Sequence, residues 1–218
     1  LVTAEEPETD PALAAAIAAG RVRAVNLAHP RYEELLPPLR RRERVRVNLL
    51  ALGDVGSTLL MGLRLLGGDV IDSIGICDVS DQVTARWEFE MGQINLPWDY
   101  NAFPDVEVVP AEKLFDCDVF VFVASRGIPP VGSKVKDVRM AQFETNAAIV
   151  KQYAKMARAA HFQGLWCAVS DPVDPLAKTA YLESNKDENG NWDGRGLRPE
   201  QIQGFGLGVM NARAAYYA

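Results

Sequence analysis

The stretch that decides the fold reads Val45-Arg46-Val47-Asn48-Leu49-Leu50-Ala51-Leu52-Gly53-Asp54-Val55-Gly56-Ser57-Thr58. Its first part is an apolar run typical of a strand in a parallel sheet, and a glycine turn and a helical pattern follow. A second apolar run ends at Cys77-Asp78. A strand, a glycine turn, a helix and a second strand that ends in an acid are the layout of a dinucleotide-binding βαβ unit.

The glycine turn has a predicted role at each position. Gly53 would let the backbone approach a pyrophosphate, and Gly56 would allow close packing of helix against strand. The helix start would offer free N–H groups and a positive dipole end to the phosphates. Asp78 would accept hydrogen bonds from the adenosine ribose. Ala51 stands where the G-x-G-x-x-G pattern begins, so the fingerprint is incomplete and a purely structural turn is the alternative. The predicted phosphate-binding residues are Gly53, Asp54, Val55 and Gly56.

Composition narrows the class of protein. The 218 residues are enough for one large domain, or for a domain with an extension, and the net charge of −6 argues against a nucleic-acid partner. The sequence contains no membrane-spanning run and no signal-peptide pattern, so we expect a cytoplasmic protein with no membrane partner. Cys77, Cys117 and Cys167 lack metal-ligand spacing and are predicted to be buried free thiols. His29 and His161 are far apart in sequence, so we expect no metal site.

The chain is predicted to have two parts. Residues 1–44 combine an acidic start, helical segments at 11–19 and 31–42 and an arginine cluster, which predicts a helical N-terminal extension. From residue 45 to residue 218, strand-like and helix-like segments alternate, which predicts a dinucleotide-binding domain. The fold class is therefore α/β, a doubly wound parallel sheet of the Rossmann-like kind. The polar stretch 184–194 is predicted to be a surface excursion that could form a hairpin. Strands are expected near 45–51, 70–77, 106–109, 118–124, 164–170 and 203–207, and helices near 55–66, 80–93, 137–160 and 174–184.

Further segments extend the pattern in a fixed order. The apolar run 117–125 ends in Ala124-Ser125, and Arg139 precedes an apolar helix that contains Asn146. Val169-Ser170-Asp171-Pro172-Val173-Asp174 and Gly206-Leu207-Gly208-Val209-Met210-Asn211-Ala212-Arg213 follow. With these segments, the chain resembles the lactate/malate dehydrogenase family across roughly residues 45–213.

The resemblance implies a cofactor, a substrate class and residue roles. The cofactor would be NAD, because a carboxylate at Asp78 would repel the 2′-phosphate of NADP. The substrate would be a small 2-oxo or 2-hydroxy acid, and the protein would be a homo-oligomer. Arg139 would stabilise charge on the substrate carbonyl oxygen, and Arg213 would clamp its carboxylate. A solvated helix start and a subunit interface are the alternatives for these two arginines. Further cofactor contacts are implied for Ala124, Ser125, Asn146 and Ser170.

The chain departs from the family pattern at several positions. Asp171 replaces an asparagine, and Met210 replaces the aspartate that orients the catalytic histidine. Ser133 occupies the position that distinguishes lactate-type from malate-type recognition. The His-Gly segment that carries the catalytic histidine is not among these residues. We therefore expect the chain to be the cofactor-binding half of a longer protein, cut where the substrate domain begins.

Three functions remain open. The first is an NAD-dependent 2-hydroxy-acid dehydrogenase, and the second is a catalytically degenerate NAD-binding regulatory or scaffold protein. Ala51, Asp171 and Met210 favour the second. The third, an NAD-dependent glycosidase of the same superfamily that uses a metal, has the least support because histidine is scarce.

Overall fold

A computed structural model of the chain describes residues 11–18, 30, 44–126 and 137–218. The chain divides into two compact units, Leu1–Arg42 and Glu43–Ala218. In the first unit, helix α1 spans Pro11–Ala18, in agreement with the predicted helix at 11–19. The helix predicted at 31–42 lies outside the described residues. The assignment of residues 1–44 as an extension and of residues 45–218 as a dinucleotide-binding domain stays a prediction.

The second unit is a parallel sheet with helices between the strands. The strands are β1 (Val45–Leu50), β2 (Ile71–Cys77), β3 (Asp105–Val108), β4 (Val119–Phe122), β5 (Leu165–Ala168) and β6 (Ile202–Gly204). The helices are α2 (Asp54–Leu66), α3 (Asp81–Gly92), α4 (Val138–Ala159), α5 (Val173–Ser184) and α6 (Leu207–Tyr217), with short 3-10 turns at Ala111–Lys113 and Pro199–Gln201. None of the helices in these ranges is long and apolar enough to cross a bilayer.

The strand order identifies the topology. The sheet runs β3-β2-β1-β4-β5-β6, and every neighbouring pair is parallel. From β1 the chain winds outward to β3, crosses back to β4 beside β1, and winds outward again to β6. This is the strand order of the doubly wound dinucleotide-binding sheet, so the predicted fold class is confirmed.

Both faces of the sheet are covered, which explains why the central strands are apolar throughout. Alternate side chains of a strand point to opposite faces. Phe120, Phe122 and Trp166 pack in one buried cluster, with residues of α4 and α5. Leu49 and Val121 belong to the other cluster, with residues of α2 and α3. Two independent apolar layers therefore hold the sheet between its helices.

The structure corrects two details of the sequence reading. The last strand ends at Gly204, and α6 begins at Leu207, so the strand predicted at 203–207 was placed too far along the chain. The excursion after α5 contains an antiparallel bridge between Lys186 and Trp192, as a hairpin requires. Its first residue is not on the surface, however, because the Ser184 side chain is fully buried and its hydroxyl accepts the Leu197 N–H at 3.1 Å.

The cysteines are free, as predicted. Cys77 and Cys167 are buried as predicted, whereas Cys117, which was also expected to be buried, is half-buried. Burial raises the pKa of Cys167 to about 11, and mainly burial raises the pKa of Cys117 to about 12. These thiols therefore remain protonated at neutral pH and are poor nucleophiles.

Candidate dinucleotide-binding site

The candidate site lies where the winding of the sheet reverses. β1 and β4 are hydrogen-bonded neighbours, and Leu50 and Phe122 are partners at their carboxyl ends. The Val123 N–H extends this ladder by donating to the Leu50 carbonyl at 3.2 Å. After β1 and β4 the chain continues toward helices on opposite faces of the sheet. Ligands of open α/β sheets bind in the crevice that this divergence opens.

The glycine turn after β1 brings α2 very close to the strand end. A Cβ atom at Gly56 would lie 2.0 Å from the Ala51 carbonyl oxygen, so only glycine fits without a backbone shift. Ala51 has a φ of 75°, the left-handed conformation that glycine adopts freely. The turn thus keeps the backbone form of the fingerprint although its first glycine is absent. A Cβ at Gly53, by contrast, would meet no atom within 4 Å, so the space beside it is open.

The start of α2 leaves N–H groups available for an anion. Gly53 is the N-cap and provides no side-chain cap. The first helical hydrogen bond runs from the Ser57 N–H to the Gly53 carbonyl at 2.8 Å. The N–H groups before Ser57 have no acceptor inside the helix, and such groups at the positive end of a helix dipole are suited to bind an anion such as phosphate.

Asp78 holds the glycine turn from the neighbouring strand. One carboxylate oxygen accepts the Leu52 N–H at 2.7 Å, and the other accepts the Ser80 N–H at 3.1 Å. Asp78 is half-buried. An ionised carboxylate can accept about four hydrogen bonds. It therefore retains capacity for ribose hydroxyls while it anchors the turn.

Asn146 joins the chain after β4 to the turn after β5. Its side chain is fully buried in α4. The amide nitrogen donates to the Asp171 carbonyl at 2.8 Å and to the Ser125 hydroxyl at 3.3 Å, and the amide oxygen accepts the Arg126 N–H at 3.0 Å. These contacts occupy the Asn146 amide, so it acts here as a structural link between loops at the crevice.

The turn after β5 supplies an unpaired polar group. The Ser170 side chain is 5 % exposed, and its hydroxyl has no hydrogen-bond partner among the described residues. The following Asp171–Pro172 peptide bond is cis, and the Asp171 side chain is exposed. The unpaired hydroxyl, the open space at Gly53 and the uncapped start of α2 all fit a bound dinucleotide.

The two predicted substrate arginines are not tied to this cluster. Arg139 lies in the first turn of α4 and Arg213 lies in α6, both with exposed side chains. Neither side chain forms a hydrogen bond or ion pair within the part of the chain that the structure describes. Ser133 lies outside the described residues. The structure therefore brings together Asp78 with the glycine turn and Asn146 with Ser125, while Ala124 is half-buried two residues after the end of β4.

No described residues form a metal centre. Residues 11–18, 30, 44–126 and 137–218 contain no group of three or more His, Cys, Asp or Glu side chains that could hold an ion. His161 lies after α4, at the amino end of β5, away from the crevice. His29 lies outside the described residues.

Cys77 is the last residue of β2 and directly precedes Asp78. Burial raises its pKa, and the neighbouring carboxylates of Asp78 and Glu112 raise it further. The thiol is therefore protonated at neutral pH, and we assign it to the core rather than to the chemistry of the site.

Sequence reasoning missed the contacts that build this site. The Leu52 N–H and the Asp171 carbonyl take part through the backbone, which leaves no trace in residue type. Asn146 did carry a signal, since it lies in a buried stripe of α4 between Gln142 and Val150. A polar side chain in such a stripe requires partners, because an unpaired buried amide is costly.

Comparison with known proteins supports the fold. No protein-family model matches the chain, and no curated protein matches it. Among solved structures, the malate dehydrogenase from Aeropyrum pernix matches with a TM-score of 0.62 and 17 % identity, over 78 % of this chain and 49 % of that one. A lactate dehydrogenase, MGS-M5 from a Medee basin deep-sea metagenome library, matches with a TM-score of 0.59 and 19 % identity, over 80 % and 49 %.

A third match was solved with a nucleotide. The malate dehydrogenase from Plasmodium falciparum in complex with NADH matches with a TM-score of 0.53 and 16 % identity, over 73 % of this chain and 43 % of that one. The chain thus spans about half the length of the dehydrogenases that it matches. At these identities the similarity establishes the fold, and the predicted resemblance is confirmed at that level.

Proposed function

We propose that this chain, which has the Rossmann-like fold found in lactate and malate dehydrogenases, binds NAD at the glycine turn and forms the cofactor-binding part of a 2-hydroxy-acid dehydrogenase. One observation carries the proposal. The Asp78 carboxylate holds the Leu52 N–H at 2.7 Å, which anchors an uncapped helix start beside the carboxyl ends of β1 and β4. A similar dehydrogenase was solved as an NADH complex, which supports the same class of cofactor here.

The proposed contacts follow from the geometry of the turn. The N–H groups at the start of α2 bind the pyrophosphate, with Gly53 leaving room for it. Asp78 accepts hydrogen bonds from the adenosine ribose and disfavours a 2′-phosphate at that place. Ala124, Ser125 and Ser170 line the crevice toward the nicotinamide, and Asn146 fixes the loops behind them.

The proposed reaction adds two arginines from outside this cluster. NAD bound here would accept or donate hydride at its nicotinamide ring. Arg139 stabilises negative charge on the substrate oxygen, and Arg213 pairs with the substrate carboxylate. The exposed Asp171 carboxylate replaces the amide donor of the family and would place a negative charge near the substrate carboxylate.

Titration with both cofactors tests the proposed site. Isothermal titration calorimetry with NAD⁺ and with NADP⁺ is expected to give tighter binding of NAD⁺, because the Asp78 carboxylate repels the 2′-phosphate. Tighter binding of NADP⁺ would overturn the assignment. Absence of binding by either cofactor would overturn the proposed function itself.

A catalytically degenerate NAD-binding regulator is the second candidate. The replacements at Asp171 and Met210 favour it, since each removes a group that the family uses in its chemistry. Oxidation of NADH by the longest available form of the protein, against a panel of 2-oxo acids, separates the two. Turnover of any 2-oxo acid would reject the regulator, and NAD binding without turnover would favour it.

The remaining attributes belong to the same proposal. We propose a cytoplasmic homo-oligomer that acts on a small 2-oxo or 2-hydroxy acid and has no nucleic-acid or membrane partner. The net charge of −6 supports the exclusion of nucleic acid. Light scattering at several protein concentrations tests the oligomeric state, and a monomer at every concentration would contradict it.

A further inference from the structure

Asp54 places a negative charge where the proposed ligand is itself negative. It is the first residue of α2, directly after the N-cap Gly53, and its side chain is exposed. Its carboxylate forms no hydrogen bond or ion pair with the residues that the structure describes. From Ala51 to Thr58 the sequence contains no lysine or arginine that would neutralise it.

In the free protein the Asp54 carboxylate stabilises the start of α2. A negative side chain in the first turn of a helix interacts favourably with the positive end of the helix dipole. A pyrophosphate bound at the same helix start uses the same electrostatic feature and brings two further negative charges. The carboxylate and the phosphates then repel each other across a partly solvated gap.

Asp78 has a structural role in the turn that Asp54 does not have. Both Asp78 oxygens accept backbone N–H groups, so removing that carboxylate would disturb the turn as well as the charge. The Asp54 carboxylate has no such partner among the described residues. A change at Asp54 therefore alters the charge at the pyrophosphate position while the turn keeps its hydrogen bonds.

We propose that Asp54 limits the affinity of the site for dinucleotides, an inference that rests on the proposed binding of NAD. The backbone at Asp54 contributes to phosphate binding, while its side chain opposes it. Since this opposition is electrostatic and solvent-exposed, salt screens it. The penalty is therefore greatest at low ionic strength and small at high ionic strength.

The experiment is an NAD⁺ titration by calorimetry of the wild type and of Asp54→Asn, Asp54→Ser and Asp54→Glu. The two neutral variants are expected to bind NAD⁺ about tenfold more tightly at low salt, the order that Coulomb's law gives for one carboxylate near two phosphate charges. Asp54→Glu keeps the charge and is therefore not expected to show this gain. In about 0.5 M NaCl the neutral variants are expected to bind NAD⁺ with nearly the same affinity as the wild type.

Asp72→Asn is the matched control. Asp72 is exposed near the amino end of β2, at the opposite edge of the sheet from the crevice, and its replacement changes the net charge equally. Circular dichroism melts verify that each variant is folded. Equal or weaker NAD⁺ binding by both neutral variants would overturn the inference and leave the proposed function standing. An equal gain in Asp72→Asn would overturn it as well. If neither the wild type nor any variant binds NAD⁺, the proposed function fails too.

Discussion

Replacement of Gly56 by alanine tests the architecture of the candidate site. The added Cβ would lie 2.0 Å from the Ala51 carbonyl oxygen and 3.0 Å from the Ala51 carbonyl carbon. Both neighbours are backbone atoms of the tight turn, so they cannot move aside as a flexible side chain would. An ordinary contact between such atoms is about 3.4 Å long. The start of α2 must therefore move away from Ala51 by an ångström or more.

The expected cost follows from that shift. Forcing additional atoms into a packed interior costs about 1–3 kcal/mol, and this contact falls at the upper end because backbone opposes it. We expect Gly56→Ala to lower the free energy of unfolding by about 3 kcal/mol. The shift also moves the N–H groups of α2 away from the ends of β1 and β4, so NAD⁺ binding should be lost together with stability.

Two other glycines of the same segment serve as comparators. A Cβ at Gly53 or at Gly62 would meet no atom within 4 Å. Gly53→Ala is expected to leave the stability within about 0.5 kcal/mol of the wild type but to weaken NAD⁺ binding, because its Cβ enters the proposed phosphate space. Gly62→Ala, within α2, is expected to stabilise the protein by about 0.5–1 kcal/mol and to leave binding unchanged.

Urea unfolding followed by circular dichroism measures the stability, and calorimetry measures NAD⁺ binding. A Gly56→Ala variant as stable as the wild type would refute the close approach of α2 to Ala51. A Gly53→Ala variant that binds NAD⁺ as tightly as the wild type would refute the location of the pyrophosphate.

Three further predictions concern other parts of the second unit. Ala51→Gly is expected to raise the free energy of unfolding by about 0.5–1 kcal/mol, because glycine adopts the left-handed conformation without strain and this gain exceeds its larger loss of backbone entropy on folding. A lower stability of the variant in urea unfolding would contradict this. Asn146→Leu is expected to lower the free energy of unfolding by about 2–4 kcal/mol, because the Asp171 carbonyl and the Arg126 N–H lose their hydrogen-bond partner. A thermal melt unchanged from that of the wild type would argue against the role of Asn146 as a link between the two loops. The Arg158 guanidinium, by its hydrogen bonds, lowers the pKa of Asp193 to about 2, so this carboxylate stabilises the fold above about pH 4 and the effect is lost as pH falls toward 2. Asp193→Asn should therefore reduce the loss of stability between about pH 4 and pH 2. If the variant and the wild type lose the same stability over this range, the Arg158–Asp193 pair is not the cause of that loss.

The sheet could be predicted because its signals are local. Strands buried on both faces must be apolar along their whole length, as Val119–Phe122 are, and glycine and polar residues mark their ends. The alternation of strands and helices predicted a doubly wound sheet but not the order of its strands, since pairing depends on which strands meet in space. The helix bounds agreed closely, as at α4, where the segment 137–160 was expected and Val138–Ala159 was found.

The contacts within the site could not be predicted because they join distant segments through the backbone. The sequence suggested a ribose-binding role for Asp78, but its bond to the Leu52 N–H depends on the register of two strands. Arg64 is a second example. An arginine in the last turn of a helix is expected in solvent, yet this one is 3 % exposed and donates to the Ile94 carbonyl at 2.8 Å.

The backbone at Ala51, where the fingerprint has its first glycine, also depends on contacts with distant segments. Ala51 counted against a nucleotide site at the level of residue type. The backbone nevertheless adopts the left-handed conformation there, with a φ of 75°. The conformation is held by its neighbours, the Ala51 N–H donating to the Cys77 carbonyl at 2.8 Å and the Leu52 N–H to Asp78. Tertiary contacts can therefore maintain a turn that the local sequence only partly specifies.

We propose that NAD binds at the glycine turn between β1 and α2. Two-dimensional ¹H–¹⁵N NMR of the protein during titration with NAD⁺ tests it most directly, because it reports both binding and location. We expect the largest saturable shift changes at the amides of Gly53, Val55 and Gly56, with further changes near Asp78 and Ser170. An unchanged spectrum at millimolar NAD⁺, or changes confined to residues away from this turn, would contradict it.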